Sequence, residues 1–173
     1  VVEQEGGEVV VPDMMDFALY SFYNHIFNYR HLAGSWRDYV RGLSNLFSLE
    51  LIRWSARFGF KRSRRFSPPE RFSEIRKKAE NLVSHGHQTG EGWLLTAEMV
   101  KLIENGVSNI LCMQPFGCLP NHITGKGLFK ELKHRYPEAN IIALDYDAGA
   151  SEVNQINRIK LMMSAANADQ MRI

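Results

Sequence analysis

"SNILCMQPFGCLPNHITGKGLFKELKHRYPEANIIALD", Ser108 to Asp145, decides how the second half of this chain folds. "SNILCM" and "ANIIALD" are short apolar runs, the pattern of strands buried on both faces. The helical segment expected between them, Asn121 to Tyr136, is too long for a hairpin and suits a crossover. Upstream, a helix expected from about Glu91 carries Leu94, Leu95, Met99, Leu102 and Ile103 and stops at Asn105-Gly106. Downstream, Ser151 caps a last helix with Val153, Ile156, Ile159 and Met163 expected inward. The resulting order, α-β-α-β-α with short connections over 89–169, predicts an α/β core whose parallel sheet is joined by crossover helices.

The first half reads differently. "GGEVVVP" predicts a short buried strand, Glu8 to Val11, stopped by Pro12. Asp13 caps a helix carrying Phe17, Tyr20, Asn24 and Phe27 at helical spacing. Ser35, with Asp38 three residues on, starts a second helix that Leu43, Leu46, Phe47 and Leu51 continue to Gly59. "SPPE", Ser67 to Glu70, has the form of a capping box with proline just inside, and the helix it opens is expected to reach Ser84. Residues 13–84 are therefore a helical elaboration of a single α/β domain spanning 1–173. The opening "VVEQEGG" resembles the last turn of a helix ending at glycine, which suggests a piece of a larger multidomain protein.

The chain has 173 residues, 45% of them hydrophobic and 23% charged, the composition of an ordinary globular domain. No apolar run approaches the roughly 18 residues of a membrane span. Two cysteines form no disulfide framework, so a reducing, cytoplasmic setting is expected. A net charge of +2 is too small to argue for nucleic acid. Against that balance stands one basic cluster, Arg53, Arg57, Lys61, Arg62, Arg64 and Arg65, flanked by Trp54, Phe58, Phe60 and Phe66. It reads as a solvated helix end, with nucleic acid, an acidic partner domain or an anionic ligand such as a CoA phosphate as the alternatives.

Ligands of open parallel sheets collect outside the carboxyl ends of the strands. Two polar loops lie there: Met113 to His122, and "DYDAGAS", Asp145 to Ser151. Cys118 stands between Pro115 and Pro120, just before a helix, where the dipole and free N–H groups favour the thiolate form. A thiolate there is a nucleophile or a soft ligand for zinc or an iron–sulfur cluster. Cys112, at the end of a buried strand, reads as core, and C-x₅-C matches no closed zinc set. His122 is a third candidate ligand, with a helix-capping or rim histidine as the alternative. "TGKG", Thr124 to Gly127, lacks the P-loop spacing and reads as a close-approach element. "HGHQTGEG", His85 to Gly92, holds two histidines and a glutamate; His-x-His is a metal-binding pattern, but without another convergent ligand the segment reads as a loop packed against the active rim.

Three stretches carry a family resemblance: "QPFGCLPNH", "GEGWLLTAEM" and "EVNQINRIK", with "GGEVVVPDMMDF" fitting the same pattern. The chain resembles proteins related to CoA-substrate-specific enzyme activases, and more distantly the dehydratase component of 2-hydroxyacyl-CoA dehydratases. The resemblance implies a flavodoxin/Rossmann-like sheet holding a 4Fe–4S cluster at its strand ends. It places Cys118 as a cluster ligand, with Gln114, Asn121 and His122 beside it and Gln155 and Arg158 as a matching polar pair. It also implies ATP-driven low-potential electron transfer, with the ATPase, the remaining cluster ligands and the partner surfaces on other domains of the same polypeptide. A CoA thioester is the implied small-molecule partner; neither nucleic acid nor membrane is. On this reading the chain alone is inactive. The alternative is a docking or CoA-binding domain without a cluster.

Overall fold

The computed structural model describes residues 1–64 and 67–170, with the side chains of 168–170 left aside. Its contacts divide the chain into two compact units, Pro12–Glu98 and the pair of segments Val1–Val11 with Met99–Ile173. Six α-helices and two strands are formed by the described residues: α1 (Met14–His31), α2 (Trp36–Phe60), α3 (Phe72–Ala79), α4 (Trp93–Glu104), β1 (Asn109–Gln114), α5 (Phe129–Arg135), β2 (Asn140–Asp145) and α6 (Glu152–Gln170).

The expected flavodoxin/Rossmann-like sheet is not there. The protein is 60% helical, and its one described sheet is the parallel pair β1–β2, in register from Asn109 opposite Asn140 to Gln114 opposite Asp145. The α-β-α-β-α order is present, yet it closes only a two-stranded ribbon. The segment Glu8 to Val11 forms no strand, and Val9, Val10 and Val11 are 50% or more exposed. Branched residues favour extended backbone, but a strand needs a partner ladder, which is a non-local decision.

In the helical unit, Asp13 accepts a hydrogen bond from the Met15 N–H (2.9 Å), and Ser35 accepts one from the Arg37 N–H (3.2 Å). Both are the N-caps the sequence suggests. The third helix starts later than expected, at Phe72, where the Glu74 carboxylate accepts from the Arg71 N–H, and it ends at Ala79. The two consecutive prolines account for the delay, since a residue before proline is pushed out of the helical region.

The core of this unit is Leu19, Tyr20, Phe72, Ile75, Ala79, Trp93, Leu94 and Ala97. Trp93, fully buried, meets Tyr20 with ring centroids 5.1 Å apart, Tyr23 at 5.8 Å and His85 at 4.6 Å. Its indole N–H faces the Asn24 side-chain oxygen at 3.4 Å. Helix α2 crosses α1 at Gly42, where an added Cβ would lie 2.7 Å from the Phe22 carbonyl oxygen. About three turns further along α2, at the start of α1, Arg53, wholly buried, pairs with buried Asp16 and with Asp13 at 3.1 Å.

The rest of α2 corrects the sequence reading. Leu46 packs against the core, but Leu43, Phe47 and Leu51 are about half exposed or more. Helical periodicity identifies apolar positions without saying which of two faces is covered.

In the second unit β1 buries Ile110, Cys112 and Gln114 alternately, and β2 buries Ile141, Ala143 and Leu144. The expected helix from Asn121 to Tyr136 is three pieces: a π-turn at Asn121–Gly125, a 3₁₀ turn at Lys126–Leu128, then α5. The two glycines of "TGKG" weaken regular helix there, and Gly125 leaves helical dihedrals at φ −98°, ψ −94°. In α6 the expected inward residues Ile156, Ile159 and Met163 are half-buried, Val153 is 66% exposed, and Met162 is the buried one. No helix of the described residues is long and apolar enough to cross a membrane.

Candidate functional site

The carboxyl ends of β1 and β2 carry the chemistry the sequence points to. Pro115 to Cys118 form a β-turn, closed by the Cys118 N–H donating to the Pro115 carbonyl at 3.2 Å. Its third residue, Gly117, has φ +71°, the left-handed conformation that a type II turn requires and that a side chain resists. The turn presents Cys118 half-buried on the rim. Its sulfur accepts a hydrogen bond from the Asn121 side-chain amide at 3.0 Å. The His122 ring nitrogen Nδ1 and the His122 backbone N–H both donate to the Cys118 carbonyl, at 2.8 and 3.1 Å. Cys118, Asn121 and His122 are thus one cluster, with His122 holding the turn rather than reaching the sulfur.

The second cluster lies at the end of β2. Gln114 is buried, and its side-chain amide donates to the Asp145 carboxylate at 2.7 Å. The Gln155 amide of α6 donates to the Asp145 carbonyl at 3.0 Å. Both loops are tied together by Asp147, whose carboxylate accepts from the Phe116 N–H at 2.9 and 3.1 Å. A cavity of about 620 Å³ opens beside this tie, lined by Phe116, Asp147, Ser151, Asn154, Gln155 and Arg158 among others.

The structure therefore brings Gln114 together with Gln155 through Asp145, puts Arg158 on the wall of the same cavity, and leaves Cys112 in the strand interior opposite Ala143. Asp145 and Asp147 were not among the expected ligand-binding residues, although their loop was singled out. The signal for them was positional: two aspartates at and just beyond the carboxyl end of a predicted strand.

Other conspicuous residues serve packing. His85 is buried among Tyr23, Phe27 and Trp93, its ring nitrogen 3.2 Å from the Arg76 carbonyl, and burial lowers its pKa. His87 and Glu91 are exposed. The basic cluster is divided. Arg53 is internal, and Arg57 donates to the Pro69 carbonyl at 2.7 Å and faces Glu50 at 3.5 Å. Lys61, Arg62 and Arg64 are exposed, while Arg65 and Phe66 lie outside the described residues. Thr124 donates to the Pro120 carbonyl at 2.8 Å, which makes "TGKG" part of the turn.

Among the described residues no three His, Cys, Asp or Glu side chains stand close enough together to hold a metal ion. A 4Fe–4S cluster is held by several thiolates, and this rim offers one. The residues present do not fit a complete cluster. No family model, curated protein or solved structure matches the chain.

Proposed function

We propose that this chain is a module of a CoA-substrate-specific enzyme activase-related protein, resembling the dehydratase component of 2-hydroxyacyl-CoA dehydratases. In this reading the Cys118 thiolate is one corner ligand of a 4Fe–4S cluster, and the remaining ligands come from outside these residues. The observation that carries it is the Asn121 amide donating to the Cys118 sulfur on an accessible rim. Hydrogen bonds to ligand sulfur are a principal lever on cluster potential, and they orient the thiolate for its metal. His122 supports the same sulfur indirectly, by holding the turn that presents it.

Anaerobic reconstitution with iron and sulfide, on the chain joined to its flanking polypeptide, tests the reading. Visible charge-transfer absorption is expected, lost in Cys118→Ser and kept in Cys112→Ala. Absorption that survives Cys118→Ser sinks the ligand assignment.

A second reading has its own support in the cavity beside Asp147: a CoA-binding or docking domain without a cluster. Arg158 on its wall is suited to a phosphate group. Calorimetric titration with CoA, weakened at least tenfold by Arg158→Ala and unchanged by Cys118→Ser, would favour it over the first.

A further inference from the structure

Helix α2 has two apolar faces and buries one. Gly42, Leu46, Leu49 and Arg53 turn toward α1 and the core of their own unit. On the other side stand Trp36, Val40, Leu43, Phe47, Leu51, Trp54 and Phe58, between 48% and 73% exposed. At 3.6 residues per turn these seven fall within an arc of about 80° along roughly six turns. Their spacing, +4, +3, +4, +4, +3, +4, averages close to the period of a straight helix, so the stripe hardly winds around it. A helix apolar on both sides ordinarily covers both.

The spacing is also a palindrome about Phe47. An antiparallel copy of the same helix, with Phe47 on the two-fold axis, sets Trp36 opposite Phe58, Val40 opposite Trp54 and Leu43 opposite Leu51. No charged residue interrupts these seven positions. One flank carries Ser44 and Ser48, small residues that let a second helix approach closely, together with Arg37 and Arg41. On the other flank Arg57 is already paired with Glu50 at 3.5 Å. Four aromatic and three aliphatic side chains offer on the order of 800 Å² per copy, the amount a stable interface of standard size buries on each partner.

We propose that this stripe of α2 is the interface of an antiparallel homodimer, isologous about Phe47. An apolar arc of about 80° is the narrow seam of helix-on-helix packing, whereas a helix lying on a lipid surface buries a broader apolar face.

The test is the mass in solution of the whole chain, by light scattering across a concentration series, with far-UV circular dichroism on each variant. Wild type is expected at twice the 19.9 kDa of one chain. Phe47→Glu, which sets a charge against itself on the axis, is expected at 19.9 kDa with helicity kept. Oxidative cross-linking in a Cys118→Ser background supplies a second measurement independent of that variant's folding. Phe47→Cys is expected to link to itself, and Trp36→Cys is expected not to. A wild-type monomer at every concentration overturns the proposal, as does a dimer that survives Phe47→Glu. Self-linking of Trp36→Cys overturns the antiparallel register. A monomer that co-sediments with vesicles of phosphatidylcholine and phosphatidylglycerol, and loses this in Phe47→Glu, overturns it in favour of a lipid surface.

Discussion

Two regions of this protein treat conspicuous residues in opposite ways. In the helical unit, Arg53 and His85 look functional in the sequence and are consumed by packing: one is buried against Asp16, the other among aromatic rings. At the rim of the strand pair, Cys118, Asp147 and Arg158 stay at or near the surface, held by hydrogen bonds between loops or lining a cavity. A charged or titratable side chain is a candidate for function only where the fold leaves it reachable. In the interior the same chemistry is a constraint on folding.

The largest way to break this contrast is at the buried pair. Arg53→Ala strands Asp16 without its cation and is expected to cost about 3–5 kcal/mol in urea unfolding. The double variant Asp16→Leu with Arg53→Met should recover most of that loss, because an apolar pair needs no desolvated charge. A double variant no more stable than Arg53→Ala would mean that the pair does more than satisfy itself.

Next comes the helix crossing. Gly42→Val places atoms against the Phe22 carbonyl and the His25 Cβ, 2.7 and 2.9 Å from the position of an added Cβ. Forcing α1 and α2 apart is expected to cost about 1–3 kcal/mol, read as a lowered midpoint in thermal unfolding.

At the rim the expected effects are smaller and local. Asp147→Ala removes the carboxylate that the Phe116 N–H donates to, at a cost of about 1 kcal/mol. Hydrogen exchange should speed up at Phe116 while the helical unit keeps its protection. Loss of protection throughout both units would show that the tie is structural for the whole chain.

The smallest effect is a pH dependence. Burial depresses the pKa of His85 below its usual 6.5, so the unfolded chain takes up a proton that the folded one refuses. The stability contributed by neutral His85 is complete above the unfolded pKa. It is lost as pH falls from there toward the folded pKa. His85→Phe should flatten stability in that window, and an unchanged slope would mean that other groups carry it.

The local signals in the sequence were good guides. Asp13 and Ser35 cap α1 and α2, "SNILCM" and "ANIIALD" are β1 and β2, and Cys112 is core. Each follows from neighbours within a few residues: a side-chain acceptor beside free N–H groups, or an apolar run short enough for one strand. At the candidate site the loop carrying Cys118 and the loop carrying Asp147 were both legible as strand-end loops. The hydrogen bond between them was not, since it joins residues 31 apart.

What only the tertiary structure decided has one physical character. Glu8 to Val11 has the apolar run of a strand but pairs with no ladder. Arg53 reads in the sequence as one cation of a solvated basic cluster, and it is buried because Asp16 of α1 meets it. Leu46 and Phe47 are adjacent apolar residues, and the packing of α1 against α2 sends one to the core and the other to solvent. Capping and short apolar runs determined α1, α2, β1 and β2 by themselves. Which strand found a partner, which charge lost its water and which face of α2 was covered depended on residues far apart in sequence, where the free energy of pairing and burial is set.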